Sequence, residues 1–273
     1  MNVIKVEKLT FFYEQNCIFK DINFEVVEGE FLTILGPSGS GKSTLLKLLL
    51  GLEHGIGKIE VLNKELKAET TREIRREIGY VCSDSSKQMI SKQMIFQTVH
   101  EELSFPLCNL CYSKQEIESK INEISELFQI QHLLQKNLNE LTNSQKQVIC
   151  FATALIYNPK ILLLDEAFFG METLTIKRIF KVLKKLNREK NLTIISGTSM
   201  IEQSLFGKKI MVLNDNNILL YGKNQDVFDE EKKLKKASLE LPFMVELSKK
   251  LYYYDLVKKP IYHMERMVNH LWK

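Results

Sequence analysis

The sequence predicts an α/β fold in which helices cover both faces of a mostly parallel sheet. Short apolar strands alternate with helical segments in the front and back halves of the 273-residue chain. A segment of helical periodicity separates these halves, and a glycine-rich turn connects one buried strand to the helix that follows it. Parallel strands need such crossover helices, which bury the sheet on both sides. One large domain with a small appendage is therefore expected.

The front half begins with strands. Apolar and polar residues alternate along the first two segments, a turn follows at Glu28–Glu30, and the next strand is short and wholly apolar. A helix is then expected because the pattern changes to helical spacing, and Gly51 ends it. The predicted strands cover residues 3–7, 18–26, 31–35, 58–62 and 78–82, and the predicted helix covers residues 42–50.

Residues from about 84 to 157 are predicted to form a helical insert. Ser113 and Glu116 have the spacing of a capping box, and a second helix ends before Asn158 and Pro159. The back half returns to strand–helix alternation, and the chain after about residue 224 is a lysine-rich helical tail. The predicted elements are a strand at 161–164, a helix at 173–190, a strand at 192–196 and a hairpin at 210–213 and 218–221. We therefore divide the chain into a domain at 1–223 and an extension at 224–273.

Composition excludes several classes of protein. Lys and Arg number 38 against 34 Asp and Glu, an excess too small to indicate nucleic-acid binding. No stretch approaches the ~20 apolar residues of a membrane span, so any membrane role is expected to be peripheral. The five cysteines are scattered and odd in number, which fits a reduced cytosol.

A phosphate-binding loop is the strongest motif, because it matches G-x-x-x-x-G-K-[S/T] between a predicted strand and a predicted helix. Its residues are Gly36, Pro37, Ser38, Gly39, Ser40, Gly41, Lys42, Ser43 and Thr44. Glycines let the backbone wrap a phosphate, and the helix N-terminus favours negative charge. Lys42 is expected to contact the β- and γ-phosphates of ATP, and the Ser43 hydroxyl to join the shell of Mg²⁺.

The second motif is an apolar strand that ends in Asp165 and Glu166. A carboxylate at this position can hold Mg²⁺, and the next carboxylate can orient the attacking water. We therefore expect Asp165 to serve the metal and Glu166 to be catalytic.

The residues between these motifs resemble those of the ATP-binding-cassette ATPases. Tyr13 lies in an N-terminal aromatic segment where that family stacks adenine. The family's L-S-G-G-Q signature, which faces the ATP of a partner subunit, corresponds here to Leu141, Thr142, Asn143, Ser144 and Gln145. The resemblance implies a P-loop NTPase fold with a RecA-like parallel sheet, an N-terminal antiparallel β subdomain, an inserted helical subdomain and a small helical extension.

The tail resembles the extension of energy-coupling factor (ECF) transporter ATPases. The similar segments are Asp226–Phe228, Leu239–Phe243, Val245–Leu247 and Met267–Leu271. That family pairs two ATPases beneath a membrane coupling subunit, which works with membrane subunits that capture vitamins or metals. The resemblance implies a heterodimer at the cytoplasmic face of the membrane, with the tail contributing to dimerisation. A tail that covers its own core is the alternative.

Three positions depart from the family pattern. Ser83 stands where the family has the Q-loop glutamine, and Ser199 where it has the H-loop histidine. Asn143 and Ser144 replace both signature glycines. The sequence therefore indicates an ATPase subunit of an importer whose own site is slow. Two alternatives are a catalytically silent nucleotide-binding subunit of the same kind of complex, and a soluble cassette protein in translation or DNA repair.

Overall fold

The computed structural model describes residues 1–83, 97–262 and 264–272. The first part of the predicted helical insert, residues 84–96, lies outside the described residues. In the described part of the chain the fold is α/β, as predicted, and its strands form two sheets.

The larger sheet has six strands in the order β10-β9-β3-β8-β7-β6. The strands β9, β3, β8, β7 and β6 are parallel, and β10 pairs antiparallel with β9 at the edge. Their bounds are β3 Phe31–Leu35, β6 Ile78–Cys82, β7 Ile161–Asp165, β8 Thr193–Thr198, β9 Lys209–Asn214 and β10 Asn217–Lys223. β3, β7 and β8 are buried along their whole length, which is typical of parallel strands covered on both faces.

The smaller sheet is antiparallel, has the order β2-β1-β4-β5 and corresponds to the expected N-terminal β subdomain. Its strands are β1 Asn2–Tyr13, β2 Asn16–Val27, β4 Ile56–Val61 and β5 Lys64–Glu65. One apolar cluster joins this sheet to the larger one through helix α1, Lys42–Leu49, whose Leu45 and Leu46 are fully buried. Helix α2, Ala68–Arg75, follows β5 of the smaller sheet and precedes β6 of the larger one.

The helical subdomain contains α3 Val99–Asn109, α4 Lys114–Phe128 and α5 Asn143–Leu155. Each helix begins with a capping box, and the predicted pair of Ser113 and Glu116 is confirmed at α4. The second predicted helix, expected from Ser144, begins at Asn143 because Thr142 is its N-cap. Short 3₁₀ helices lie at Gln131–Leu133, Leu138–Glu140 and Ile201–Leu205. Helix α6, Thr173–Glu189, packs between this subdomain and the main sheet.

The tail is helical, as predicted, and follows β10 without a gap. It contains α7 Asn224–Asp229, α8 Glu231–Lys236, α9 Phe243–Tyr253 and α10 Met264–Leu271. Phe228 and Val245 are fully buried and share one apolar cluster with Leu35 and Val212 of the main sheet. The tail therefore covers part of the main sheet of its own chain. Whether it also mediates dimerisation stays a prediction.

Among the described residues, no helix is both long enough and apolar enough to cross a bilayer.

Candidate nucleotide-binding site

The glycine-rich loop connects the end of β3 to the start of α1. Gly39 and Gly41 have φ angles of +82° and +95°, which residues with a Cβ rarely adopt. A Cβ on Gly41 would also lie 2.7 Å from Cζ of Phe19 in β2. The loop therefore depends on glycine at these two positions. The buried Ser40 Oγ lacks a hydrogen-bond partner among the described residues, so it is available to a ligand oxygen.

Lys42 is the first residue of α1, and only 6% of its side chain is exposed. Its Nζ donates hydrogen bonds to the carbonyl oxygens of Gly36 (2.8 Å) and Pro37 (3.0 Å). It also lies 3.6 Å from Oε1 of Glu166. Burial lowers the pKa of Lys42, and the Glu166 carboxylate opposes that shift. These contacts place a desolvated positive charge beside the loop.

Ser43 and Asp165 meet although 122 positions separate them in sequence. The Ser43 hydroxyl donates to Oδ1 of Asp165 at 2.7 Å. The contact forms because the parallel strands β3 and β7 end at the same edge of the main sheet, with only β8 between them. A hydroxyl and a carboxylate are hard oxygen donors of the kind that Mg²⁺ prefers. The pair therefore has the oxygen atoms that could hold a Mg²⁺ ion at the loop.

Glu166 follows β7 in the left-handed backbone region, with a φ of +48°. Its N–H donates to the carbonyl oxygen of Gly197 in β8 at 2.9 Å. Its side chain is 24% exposed and pairs with Lys42. The carboxylate thus reaches solvent beside the loop, a position from which it can act on a water molecule.

Ser83 and Ser199 lie at the same edge of the sheet as Asp165. Cys82 and Asp165 are register partners, and so are Asp165 and Gly197, so the chain reaches Ser83 after β6 and Ser199 after β8. Both serines are exposed. The structure thus brings these two positions to the carboxyl edge where ligands bind in open parallel sheets.

Tyr13 ends β1 at the hairpin that leads into β2. It is 38% exposed, its hydroxyl donates to Oε1 of Glu53 at 3.2 Å, and its ring meets Phe11 edge-on at 4.8 Å. The same β2 strand contacts the loop through Phe19, as described above. Stacking of adenine on Tyr13 stays a prediction.

The segment 141–145 forms the N-terminus of α5. Thr142 and Gln145 cap each other, with hydrogen bonds of 3.0 and 3.2 Å. Leu141 is only 5% exposed and packs in the core of the helical subdomain. Leu141 is therefore a core residue, and the surface that could face a partner consists of residues 142–145.

Two residues of the site were not identified from the sequence. Tyr80 in β6 donates its hydroxyl to Oδ2 of Asp165 at 3.1 Å. Burial, followed by the Asp165 charge, raises the pKa of Tyr80, so this hydroxyl stays protonated and donates at neutral pH. Gln147 in α5 is buried and donates to the carbonyl oxygens of Cys82 (2.7 Å) and Ala167 (2.9 Å). A polar glutamine on an otherwise apolar helix face could have been recognised from the sequence as a candidate for a buried hydrogen bond. Tyr80 could not, because an aromatic residue in a strand is common and its contact with Asp165 depends on the strand register.

Comparison with known proteins places this geometry in a family. The family model described as ABC transporter matches residues 19–169. The ECF transporter ATP-binding protein EcfA1 of Oenococcus oeni is 32% identical over 277 residues, covering 100% of this chain and 98% of that protein. EcfA2 of Caldanaerobacter subterraneus is 32% identical and covers 91% of this chain and 88% of its own length.

Solved structures agree with these relatives. The cbiO1 protein of Clostridium perfringens, described as part of the ABC transporter complex cbiONQ, has a TM-score of 0.77 at 29% identity and covers 91% of this chain and 99% of its own. A dimeric ATP-binding cassette solved in a post-hydrolysis state with ADP and Pi has a TM-score of 0.72 at 29% identity, covering 81% of this chain and 98% of its own. This chain therefore belongs to the ABC transporter family of ATPases and is similar throughout to its ECF-type ATP-binding subunits.

Proposed function

We propose that this chain is an ATP-binding subunit of an ECF-type importer, in which MgATP binding and hydrolysis in an asymmetric dimer drive uptake of a micronutrient such as a vitamin or a metal ion. The observation that carries the proposal is the meeting of Lys42 with Glu166 and of Ser43 with Asp165 at the glycine-rich loop. The ECF relatives, which match over nearly the whole chain, support the class of transporter.

Each residue at the loop has a role in this proposal. The segment Gly36–Thr44 cradles the phosphates, Lys42 moves from its carbonyl partners to the β- and γ-phosphates, and Tyr13 stacks on adenine. Ser43 and Asp165 would hold Mg²⁺, which would supply positive charge against the phosphates. Glu166 orients the attacking water. The orphan Ser40 hydroxyl and the Ser43–Asp165 oxygen pair are the features that support this fit.

The proposed assembly is a heterodimer with a second ABC ATPase, peripheral to the cytoplasmic face of the membrane. It docks on a membrane coupling subunit that works with a substrate-capture subunit. The similarity to both EcfA1 and EcfA2 proteins supports pairing of two related ATPases. Exposed aromatics of the tail, Tyr253 (80%), Tyr254 (69%) and Trp272 (82%), provide apolar surface for such an interface.

The site of this chain is proposed to bind MgATP and to hydrolyse it slowly. Ser83 and Ser199 lie at the carboxyl edge of the parallel strands, beside Asp165. Their side chains are too short to make the contacts of a glutamine amide or a histidine imidazole with the transferred phosphate. Loss of one positioned contact of this kind costs about 2–4 kcal/mol, or roughly 10²–10³ in rate. The second site, between the partner's loop and residues 142–145 of this chain, then carries most of the turnover.

Glutamine substitutions at the catalytic glutamates of the two subunits test the asymmetry. We expect Glu166→Gln to leave the ATPase rate of the heterodimer nearly unchanged. Glutamine at the partner's corresponding glutamate should leave a slow residual rate that disappears in the double variant. A rate abolished by Glu166→Gln alone would contradict the asymmetric scheme. No residual rate in the partner variant would instead identify a silent nucleotide-binding subunit.

The assembly is tested by tagging the chain and purifying it from gently solubilised native membranes. We expect a second cassette ATPase and a small polytopic membrane protein to co-purify with it. Co-purification of ribosomes or DNA in their place would contradict the importer and favour a soluble cassette protein.

A further inference from the structure

Both carboxylate oxygens of Asp165 accept hydrogen bonds from hydroxyl groups. Oδ1 accepts from Ser43 at 2.7 Å, and Oδ2 accepts from Tyr80 at 3.1 Å. Asp165 itself is only 7% exposed. The two donors come from different elements, α1 and β6, so the carboxylate is held from both sides.

The position of the Tyr80 hydroxyl is fixed by the sheet. Cys82 is the register partner of Asp165, and Tyr80 precedes it by two residues, so both β6 side chains point to the same face. The Tyr80 ring packs against the apolar cluster that α1 shares with the two sheets. A tyrosine side chain has only two rotatable bonds before its hydroxyl, so packing of the ring also places the oxygen.

We infer that Tyr80 is a positioning residue for the metal-holding carboxylate of this site, an inference that rests on the proposed MgATP function. Its hydrogen bond occupies Oδ2 and directs Oδ1 toward Ser43, so that the hydroxyl and the carboxylate oxygen face one ion together. Partners of this kind behind a metal ligand typically contribute about 10–100-fold in metal affinity. In this arrangement Tyr80 acts on the metal site through Asp165.

The substitution Tyr80→Phe tests this role because it removes the hydroxyl and keeps the packed ring. The measurement is the ATP dissociation constant, by isothermal titration calorimetry, with Mg²⁺ and with EDTA. We expect the variant to lose about 10-fold of the affinity that Mg²⁺ adds and to bind metal-free ATP within about twofold of the wild type. With Mn²⁺ in place of Mg²⁺, electron paramagnetic resonance should report a similar loss of metal affinity in the ATP complex.

Tyr157→Phe is the matched control. The Tyr157 hydroxyl also belongs to a half-buried tyrosine and donates to the carbonyl oxygen of Ile78 in β6 at 2.8 Å, away from Asp165. We expect this variant to keep the full effect of Mg²⁺ on ATP affinity. If Tyr80→Phe loses equal ATP affinity with and without Mg²⁺, or keeps the full effect of Mg²⁺, the inferred role of Tyr80 is wrong. The proposed metal site would still stand in either case. A wild-type chain that binds ATP without any Mg²⁺ effect would overturn the proposed metal site together with this inference.

Discussion

Lys42 illustrates how a buried charge is kept ready for a phosphate. Its ammonium group has two backbone carbonyls as acceptors and Glu166 as an ion-pair partner, so it is hydrogen-bonded although it is desolvated. Burial lowers the pKa of Lys42 because the charged form loses hydration. A phosphate can replace these partners with a full negative charge, and the exchange favours binding.

Lys42→Met removes this charge and keeps most of the side-chain volume. We expect MgATP affinity to fall about 10- to 150-fold, since hydrogen bonds to charged groups contribute roughly 1.5–3 kcal/mol. The fold should be retained, because Glu166 is partly exposed and can be hydrated once it loses its partner. Calorimetry with MgATP and a thermal melt measure the two effects. Lys47→Met, in the last turn of the same helix, is the control and should bind MgATP normally.

The side chain of Gln147 joins helix α5 to the main sheet. The Gln147 side chain donates hydrogen bonds to two backbone carbonyls, one at the end of β6 and one just after Glu166. The helix that follows Thr142 is thus hydrogen-bonded to the end of β6 and to the segment just after Asp165. A displacement of α5 would move these segments with it, which gives the helical subdomain a direct physical connection to the site.

Gln147→Leu should break this connection and remove the donor from one buried and one partly buried carbonyl group. We expect a loss of about 1–3 kcal/mol in the free energy of unfolding, the cost of unsatisfied buried acceptors, measured by urea denaturation. The ATPase rate of the assembled complex should fall as well. Gln131→Leu, at an exposed position of the same subdomain, should change stability by less than about 0.5 kcal/mol. Equal stability of the two variants would show that Gln147 carries no such connection.

At the scale of the whole molecule, the tail shares an apolar cluster with the main sheet. The charged side chain of Lys249 connects the helices of the tail to one another. The Lys249 Nζ donates to the carbonyl oxygen of Phe228 at 2.7 Å and pairs with Glu231 and Asp229, each at 3.1 Å. Burial lowers the pKa of Lys249, but the hydrogen bonds and charges of the two acids outweigh it and raise the pKa above its ordinary value. Helix α9 is thereby held against α7 and α8.

Lys249→Met tests this attachment and its dependence on pH. A raised lysine pKa contributes stability that is fully present below the unfolded value near 10.4 and is lost as pH rises through the folded value. We therefore expect a loss of about 1–2 kcal/mol that is constant from neutral pH to about pH 10 and shrinks above it. Urea denaturation across this range measures it. Lys250→Met, which removes an exposed ion pair with Glu246, should leave the free energy of unfolding nearly unchanged. A difference from wild type that already declines between pH 6 and pH 8 would contradict this account.

The sequence by itself determined the features that depend on short segments. The glycine-rich loop was predictable because its phosphate-binding residues are contiguous, and the capping box at Ser113 because its partners lie within one helical turn. The α/β class followed from the alternation of two hydrophobic periods, which burial on the sheet faces imposes locally. The confirmed family membership depends on these same local patterns.

Only the tertiary structure decided which distant side chains meet. Ser43 and Tyr80 both reach Asp165 because β7 lies next to β6 and near β3, and neither strand order nor register is encoded in a local pattern. Leu141 belongs to the signature segment by sequence, and only the structure shows that it packs in the core of the helical subdomain. That the segment faces a partner's ATP stays a prediction. These contacts depend on the free energy of burying whole helices and sheets together. A hydrogen bond across the sheet is a consequence of that packing, so the residues near it in sequence do not reveal it.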